Sequence, residues 1–265
     1  MAGCPRPTPK PTEHSRASLI VEQSSATPGS KVNLGIQFVT DDGWHIYWQN
    51  PGDSGEPPRI KWQLPSGVTA TALEWPTPMR MTTSAGADYG YQGTTILLSS
   101  VQIPATAQPG TIIVGGELRW LVCHDVCLPL STFLKAPIQI ASSTNINEAA
   151  LRSLKSASER LPKPLPASYQ AEAASSKDGF RLTMLTGVPI THAEFYPSEE
   201  GQIDNGAAQE LAAHADRVSL TLKKSEYLRQ VPQHLQGVII LNGTDAYLID
   251  LPIHAMPAQR RSRQR

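Results

Sequence analysis

Short apolar or alternating stretches, separated by turn-forming residues, recur through the first half of the chain. An apolar side chain at every second position is typical of a half-buried strand, and frequent Pro and Gly breakers are typical of all-β proteins. This pattern predicts an antiparallel β-sandwich of immunoglobulin-like size. Its predicted strands span residues 18–23, 31–40, 44–48, 59–64, 68–75, 95–103, 111–122 and 131–140.

The pattern changes after residue 141. Residues 145–161 carry apolar side chains at a helical period, and Asn145 or Asn147 is a suitable N-cap. Prolines at positions 162, 164 and 166 end this helix and predict a stiff connector. Strand-like segments then return at residues 169–174, 179–184, 193–196, 217–223, 237–242 and 246–253.

The predicted fold is therefore all-β, with two immunoglobulin-like antiparallel β-sandwich domains joined by a short helix and a Pro-rich connector. A length of 265 residues accommodates two such domains. The predicted parts are a flexible tether at 1–16, a first sandwich that carries a cysteine pair at 17–141, a helical linker at 142–166, a second, smaller sandwich at 167–255, and a basic tail at 256–265.

Charge narrows the class of partner. The chain has 23 basic and 23 acidic residues, so it lacks the broad positive field that holds nucleic acid. No apolar run approaches the roughly 20 residues that span a bilayer. The start Met1-Ala2-Gly3-Cys4 resembles the end of a bacterial lipoprotein signal, in which the cysteine is lipidated, although the preceding apolar stretch is missing. An incidental cysteine at this position is the alternative.

Candidate chemistry is concentrated at Cys123 and Cys127, because Cys4 is the only other cysteine. In an extended strand, four steps would separate the two Cα atoms by roughly 13 Å. A disulfide requires about 7 Å or less, so the chain must turn between the two cysteines. Strand-like residues on both sides favour a tight hairpin, with residues 124–126 as its exposed tip.

Three uses of this pair are open. A bridge that closes so short a loop stabilises a fold little, which favours thiol–disulfide exchange over a static staple. His124 and Asp125 act in opposite directions on a neighbouring thiolate. The third use is a copper or zinc site formed by Cys123, His124 and Cys127, to which Met79 and Met81 add thioethers if the fold brings them near.

The aromatic residues are of two kinds. Most lie in predicted strands and are expected in the core; these are Trp44, Tyr47, Trp48, Trp62 and Trp75. Tyr89 and Tyr91 are flanked by glycines, which predicts a loop. Such a loop either covers a reactive disulfide or simply packs on the surface.

Three segments resemble the periplasmic N-terminal region of bacterial thiol:disulfide interchange proteins of the DsbD/ScsB type. They are Gly43-Trp-His-Ile-Tyr-Trp-Gln-Asn-Pro-Gly-Asp-Ser-Gly55, Asp88-Tyr-Gly-Tyr-Gln-Gly93 and Trp120-Leu-Val-Cys-His-Asp-Val-Cys-Leu-Pro129. A Pro-x-x-Leu-x-Gly stretch at residues 232–237 extends the match weakly into the second domain.

The resemblance implies an immunoglobulin-like domain whose cysteine pair takes electrons from a membrane-embedded donor and reduces thioredoxin-fold partners in the periplasm. Cys127 would form the mixed disulfide and Cys123 would resolve it. Asp88, Tyr89 and Tyr91 would form the cap over the pair, and no cofactor beyond the two sulfurs would be needed. Two alternatives are a periplasmic copper-binding protein and a structural docking module with a static disulfide.

Overall fold

The computed structural model describes residues 13–83 and 86–255, and within these ranges nearly all regular structure is β-strand. The first part of the chain forms strands β1 (Ser15–Val21), β2 (Gln23–Ala26), β3 (Lys31–Thr40), β4 (His45–Gly52), β5 (Arg59–Gln63), β6 (Thr69–Ala70), β7 (Met79–Thr83), β8 (Gly86–Gln92), β9 (Thr94–Gln102), β10 (Gly110–Cys123), β11 (Cys127–Ile140) and β12 (Asn145–Ile146). The second part forms helix α1 (Glu148–Ser158) and strands β13 (Lys163–Pro164), β14 (Gln170–Ser175), β15 (Gly179–Leu185), β16 (Ala193–Pro197), β17 (Glu210–His214), β18 (Arg217–Lys223), β19 (His234–Leu241) and β20 (Asp245–Ala255).

Two sheets form the first sandwich. One has the order β1-β3-β9-β6, and the other has the order β12-β2-β11-β10-β4-β8-β7, with β5 paired to β10. Alternate residues of β3, β9 and β10 point inward, as the period of two in the sequence predicts. The core between the sheets includes Phe38, Trp48, Leu97 and Leu118. The predicted sandwich is confirmed.

The helix begins where the sequence predicts, and Asn147 is its N-cap. The Asn147 side chain accepts hydrogen bonds from the backbone N–H groups of Ala149 and Ala150, at 3.1 and 3.2 Å. Leu154 packs directly over Gly35 of β3, where a Cβ atom would lie 2.5 Å from Leu154 Cδ2. The helix therefore packs against the first sandwich, although the sequence predicts it as part of a linker.

The second sandwich is built by β13–β20. Strands β16, β19 and β20 pair in one part, and β14, β15, β18 and β17 pair in the other. A short parallel pairing of β14 with the end of β20 joins the two parts. Phe180, Leu220, Phe195 and Ile239 belong to the core cluster between them. The all-β, two-domain prediction is confirmed, with short parallel pairings added to the expected antiparallel ones.

The two sandwiches share buried residues. Tyr196 and Val238 of the second sandwich belong to the same buried cluster as Trp48 and Tyr89 of the first. The rings of Tyr89 and Tyr196 lie 5.1 Å apart, edge to face. The second sandwich therefore packs on the face of the first that β4 and β8 form.

Several local predictions differ from the structure. The predicted strand 68–75 is reduced to the two residues of β6, and the predicted loop after residue 49 is partly strand, because β4 continues to Gly52. Strand β1 begins at Ser15, inside the predicted tether. The described residues do not include residues 1–12 of the predicted tether, which contain Cys4, or the predicted basic tail at 256–265. Within the described ranges, no helix has the length and apolar character needed to cross a bilayer.

Candidate functional site

The cysteine pair lies at the end of the longest hairpin of the first sandwich. Strands β10 and β11 are 14 residues each, and they pair antiparallel from Gly110 with Ile140 to Cys123 with Cys127. The chain reverses through residues 124–126, where the His124 N–H donates to the Val126 carbonyl at 3.1 Å. All three residues of the tip are exposed, as the sequence predicts.

The two cysteines form a disulfide, and their Cα atoms lie 4.2 Å apart. This confirms the prediction that the chain turns tightly enough to bridge them. Their surroundings differ, because Cys123 is 2% exposed and pairs on its other side with His45 of β4, whereas Cys127 is an exposed residue at the start of β11. The bridge thus has one enclosed and one accessible end.

Tyr47 of β4 contacts the accessible end. Its hydroxyl oxygen lies 3.7 Å from Cys127 Sγ, and the hydroxyl is the donor because a disulfide sulfur carries no proton. Burial raises the pKa of Tyr47, and the Asp88 charge acts in the same direction, whereas a hydrogen bond with Ser54 opposes them. The hydroxyl therefore stays protonated at neutral pH and is able to donate to the sulfur. The sequence predicts Tyr47 only as a core residue.

The Tyr47 ring is covered by the turn that follows β4. A Cβ atom on Gly55 would lie 2.1 Å from Tyr47 Cζ, so only a glycine allows the turn to pass this close to the ring. Gly55 also has a φ of +82°, which favours glycine in its own right. The turn therefore restricts the position of the Tyr47 ring.

Asp88 anchors the same turn from β8. Asp88 is 2% exposed, and its carboxylate accepts hydrogen bonds from the Ser54 N–H at 3.0 Å and from the Ser54 hydroxyl at 2.7 Å. The charge of Asp88 adds to the effect of burial in raising the pKa of Tyr47, and it partly offsets the effect of burial in lowering the pKa of His45. Asp88 therefore acts on the site through Ser54 and through its charge.

His45 lies on the enclosed side of the bridge, opposite Cys123. It is 8% exposed, its ring meets the Tyr47 ring edge to face at 5.1 Å, and its Nε2 atom has no hydrogen-bond partner among the described residues. Burial lowers the pKa of His45, and the nearby His124 adds to this, while Asp88 opposes it. The histidine is therefore neutral at pH 7. The sequence does not single out His45 as a site residue, although it lies in the segment 43–55 that resembles the DsbD/ScsB type.

The predicted tuning residues lie at the tip. His124 Nδ1 lies 3.0 Å from Asp125 Oδ2, and both side chains face solvent, with exposed fractions of 47% and 91%. The His124 ring also lies 5.9 Å from that of Trp44, which in turn stacks on His14 at 3.9 Å. These groups form a polar and aromatic rim beside the exposed sulfur.

The prediction of an exposed loop at Tyr89 and Tyr91 is wrong. Both residues lie in β8, where their exposed fractions are 0% and 3%. Their hydroxyls donate to Asn205 Oδ1 at 3.0 Å and to the Pro76 carbonyl at 2.8 Å, so they serve the packing beneath the site and do not form a lid. The glycine between them is needed because β4 passes close by, and a Cβ on Gly90 would lie 2.1 Å from the Ile46 carbonyl oxygen.

The described residues do not form the ligand cluster that the alternative of a copper or zinc site requires. Among residues 13–83 and 86–255, no group of three or more His, Cys, Asp or Glu side chains is arranged to hold a metal ion. Met79 and Met81 lie on β7, where they pair with Gly90 and Asp88 of β8.

Comparison with known proteins finds a matching family and a solved structure of similar fold. Residues 16–137 match the family described as thiol:disulfide interchange protein DsbD, N-terminal. The N-terminal periplasmic domain of ScsB from Proteus mirabilis has a TM-score of 0.72 at 16% identity, over 93% of this chain and 96% of that one. This likeness includes the second sandwich, and it concerns the fold alone.

A second solved structure is much less similar. A protein of unknown function from Porphyromonas gingivalis W83 aligns over 92% of this chain and 100% of its own, with 11% identity and a TM-score of only 0.26. No curated protein matches the sequence. The family match covers residues 16–137, and together with the bridged cysteine pair at the hairpin tip it supports a thiol:disulfide interchange domain of the DsbD N-terminal type in the first sandwich.

Proposed function

We propose that this protein passes reducing equivalents in the periplasm, from a membrane-embedded electron donor to thioredoxin-fold partners, through the Cys123–Cys127 couple. The observation that carries the proposal is the asymmetry of the bridge. Cys127 is exposed beside a protonated tyrosine hydroxyl, while Cys123 is enclosed by β4. A partner of any size therefore meets one sulfur first.

The proposed exchange has two steps. In the reduced protein, the Cys127 thiolate attacks one sulfur of the partner disulfide, a Cys127–partner bond forms, and the other partner sulfur leaves as a thiolate that takes up a proton. Cys123 then loses its proton and attacks Cys127 Sγ, which restores the internal bridge and releases the first partner sulfur as a thiolate that also takes up a proton. Two electrons and two protons pass to the partner, and a dithiol donor reverses the sequence to reduce the bridge again.

The Tyr47 hydroxyl supports the role of Cys127 as the attacking thiolate. A donated hydrogen bond stabilises a thiolate more than a neutral sulfur, because hydrogen bonds to charged groups are the stronger ones. It therefore favours Cys127 as the attacking thiolate in the reduced protein. No group other than these side chains is required, so the proposed couple works without a cofactor.

Trapping of mixed disulfides tests the assignment. In a Cys4→Ser background, the variants Cys123→Ser and Cys127→Ser each retain one thiol of the couple. The probe is a thioredoxin-fold protein whose nucleophilic cysteine carries a thionitrobenzoate leaving group and whose second cysteine is removed. We expect Cys123→Ser to form the cross-link at least tenfold faster than Cys127→Ser, since only Cys127 is accessible. Equal rates would show that the roles are wrong.

A redox titration separates exchange from a static bridge. In glutathione buffers, the couple of the folded wild type should equilibrate, with a potential above the roughly −300 mV that marks inert structural bridges. The Cys123→Ser/Cys127→Ser double variant is the control for glutathione bound elsewhere. A bridge that resists dithiothreitol in the folded protein would favour the structural docking module and contradict the proposal.

A further inference from the structure

The turn over Tyr47 is held from the second sandwich as well as from the first. We define the site turn as residues 50–55, which comprise the end of β4 and the residues that follow it. Within it, Ser54 bonds to Asp88 and Gly55 lies on the Tyr47 ring. Any shift of this turn therefore changes the position of the hydroxyl that contacts Cys127.

The first end of the site turn is bound by the backbone of β16 and the residues after it. Asn50 is 1% exposed, and its side-chain amide donates to the carbonyls of Pro197 at 2.8 Å and Glu199 at 3.2 Å. Its carbonyl oxygen accepts from the Gly52 N–H at 3.0 Å. The amide nitrogen of this side chain is thus bound to the second sandwich, and its oxygen is bound to the turn itself.

The other end is bound by Asn205 of the second sandwich, which is 4% exposed. Its amide nitrogen donates to Asp53 Oδ1 at 2.8 Å, and its carbonyl oxygen accepts from the Tyr89 hydroxyl at 3.0 Å. Its backbone carbonyl accepts from Arg80 at 3.1 and 2.6 Å. One residue of the second sandwich therefore connects β7, β8 and the site turn.

We propose that the second sandwich positions the redox site, with Asn205 and Asn50 holding the site turn so that Tyr47 donates to Cys127. This inference rests on the proposed exchange function, and it gives the second sandwich a role beyond packing. Asn205 touches neither sulfur, so it is a positioning residue that acts through Asp53 and the turn. Because Asp53 also bonds to Ala87 within the first sandwich, loss of Asn205 loosens the turn without releasing it.

The test measures the pH dependence of iodoacetamide alkylation at Cys127 in the reduced full chain, in a Cys4→Ser background, with the modified peptide identified by mass spectrometry. Asn205→Ala should move the midpoint of the pH–rate curve upward and slow alkylation at pH 7 about twofold, which is less than loss of the Tyr47 hydroxyl itself. Gln209→Ala is the matched control. This variant loses two hydrogen bonds to the Phe195 backbone, which lie inside the second sandwich and do not involve the site turn.

Two further variants make the result specific. In a Tyr47→Phe background, Asn205→Ala should have no further effect on the curve, since the donor that it positions is gone. Asp53→Asn weakens the hydrogen bond between Asp53 and Asn205 by changing the residue of the first sandwich, because it replaces an acceptor oxygen by an amide donor. It should reproduce the upward shift of the pH–rate midpoint, and it serves as the test if Asn205→Ala fails to fold. Circular dichroism at each step confirms that the variants are folded.

The inference is overturned if Asn205→Ala and Asp53→Asn shift the curve no more than Gln209→Ala does. It is also overturned if the shift persists undiminished without the Tyr47 hydroxyl. Alkylation needs no partner and no exchange, so this outcome is independent of the trapping result. A wild type that fails to exchange with glutathione would instead contradict the proposed function.

Discussion

Removal of the Tyr47 hydroxyl is the most direct perturbation of the site. Tyr47→Phe keeps the ring beneath Gly55 and beside His45 and deletes only the donor that lies 3.7 Å from Cys127 Sγ. A hydrogen bond to a charged group contributes about 1.5–3 kcal/mol. The contact is long, so we take the lower end, and about 1.4 kcal/mol moves the midpoint of the Cys127 pH–rate curve upward by about one pH unit.

The expected rates follow from that shift. At pH 7 the thiolate fraction falls about tenfold, but the less stabilised thiolate is about threefold more nucleophilic for a Brønsted coefficient of about 0.4–0.5. Alkylation should therefore be about threefold slower at pH 7 and about threefold faster above both midpoints, so the two curves cross. The assay is iodoacetamide alkylation of the reduced protein over a range of pH values.

The control for this prediction is Tyr91→Phe. Its hydroxyl is buried and donates to the Pro76 carbonyl at 2.8 Å, so the variant loses one buried hydrogen bond without a contact to sulfur. Its curve should overlay that of the wild type. Curves for Tyr47→Phe that run parallel to the wild type without a crossing, or a midpoint that does not move, would refute the reasoning.

Two other variants test the surroundings of the bridge. Burial lowers the pKa of His45, so the unfolded state binds more protons below about pH 6.5 and the free energy of unfolding decreases as the pH falls. Urea titrations at pH 7.5 and 5.5 should show a smaller decrease for His45→Gln, and an unchanged decrease would contradict this. Gly55→Ala forces a Cβ against Tyr47 at a φ of +82° and should lower the free energy of unfolding by about 1–3 kcal/mol and slow alkylation of Cys127; wild-type values for both would refute the packing argument.

The parts of the site that the sequence predicts are local. The three-residue spacing of Cys123 and Cys127 between strand-like segments suffices to predict a hairpin and a bridge, because both depend on neighbouring residues only. The helix is equally local, with Asn147 at its start and a regular apolar period. These predictions need no knowledge of what packs against the element.

The parts that the sequence does not predict depend on distant segments. In the sequence alone, Gly90 indicates a loop. The structure shows that a glycine is needed in this buried strand because β4 passes close to it. Asn50 and Asn205 are 155 positions apart, and nothing in the sequence indicates that their side chains hold the same turn. Tyr47 alternates correctly for a core residue, and its contact with sulfur arises from the way that the hairpin lies across β4.

The length of the β10–β11 hairpin has a consequence for the relative stability of the oxidised and reduced forms. Fourteen residue pairs fix the register of this hairpin, and the bridge spans only the last of them. A ring this small restricts the unfolded chain little, so its opening removes little stability. The oxidised and reduced forms should therefore resist proteolysis equally. Neither redox state of the couple should expose the protein to degradation.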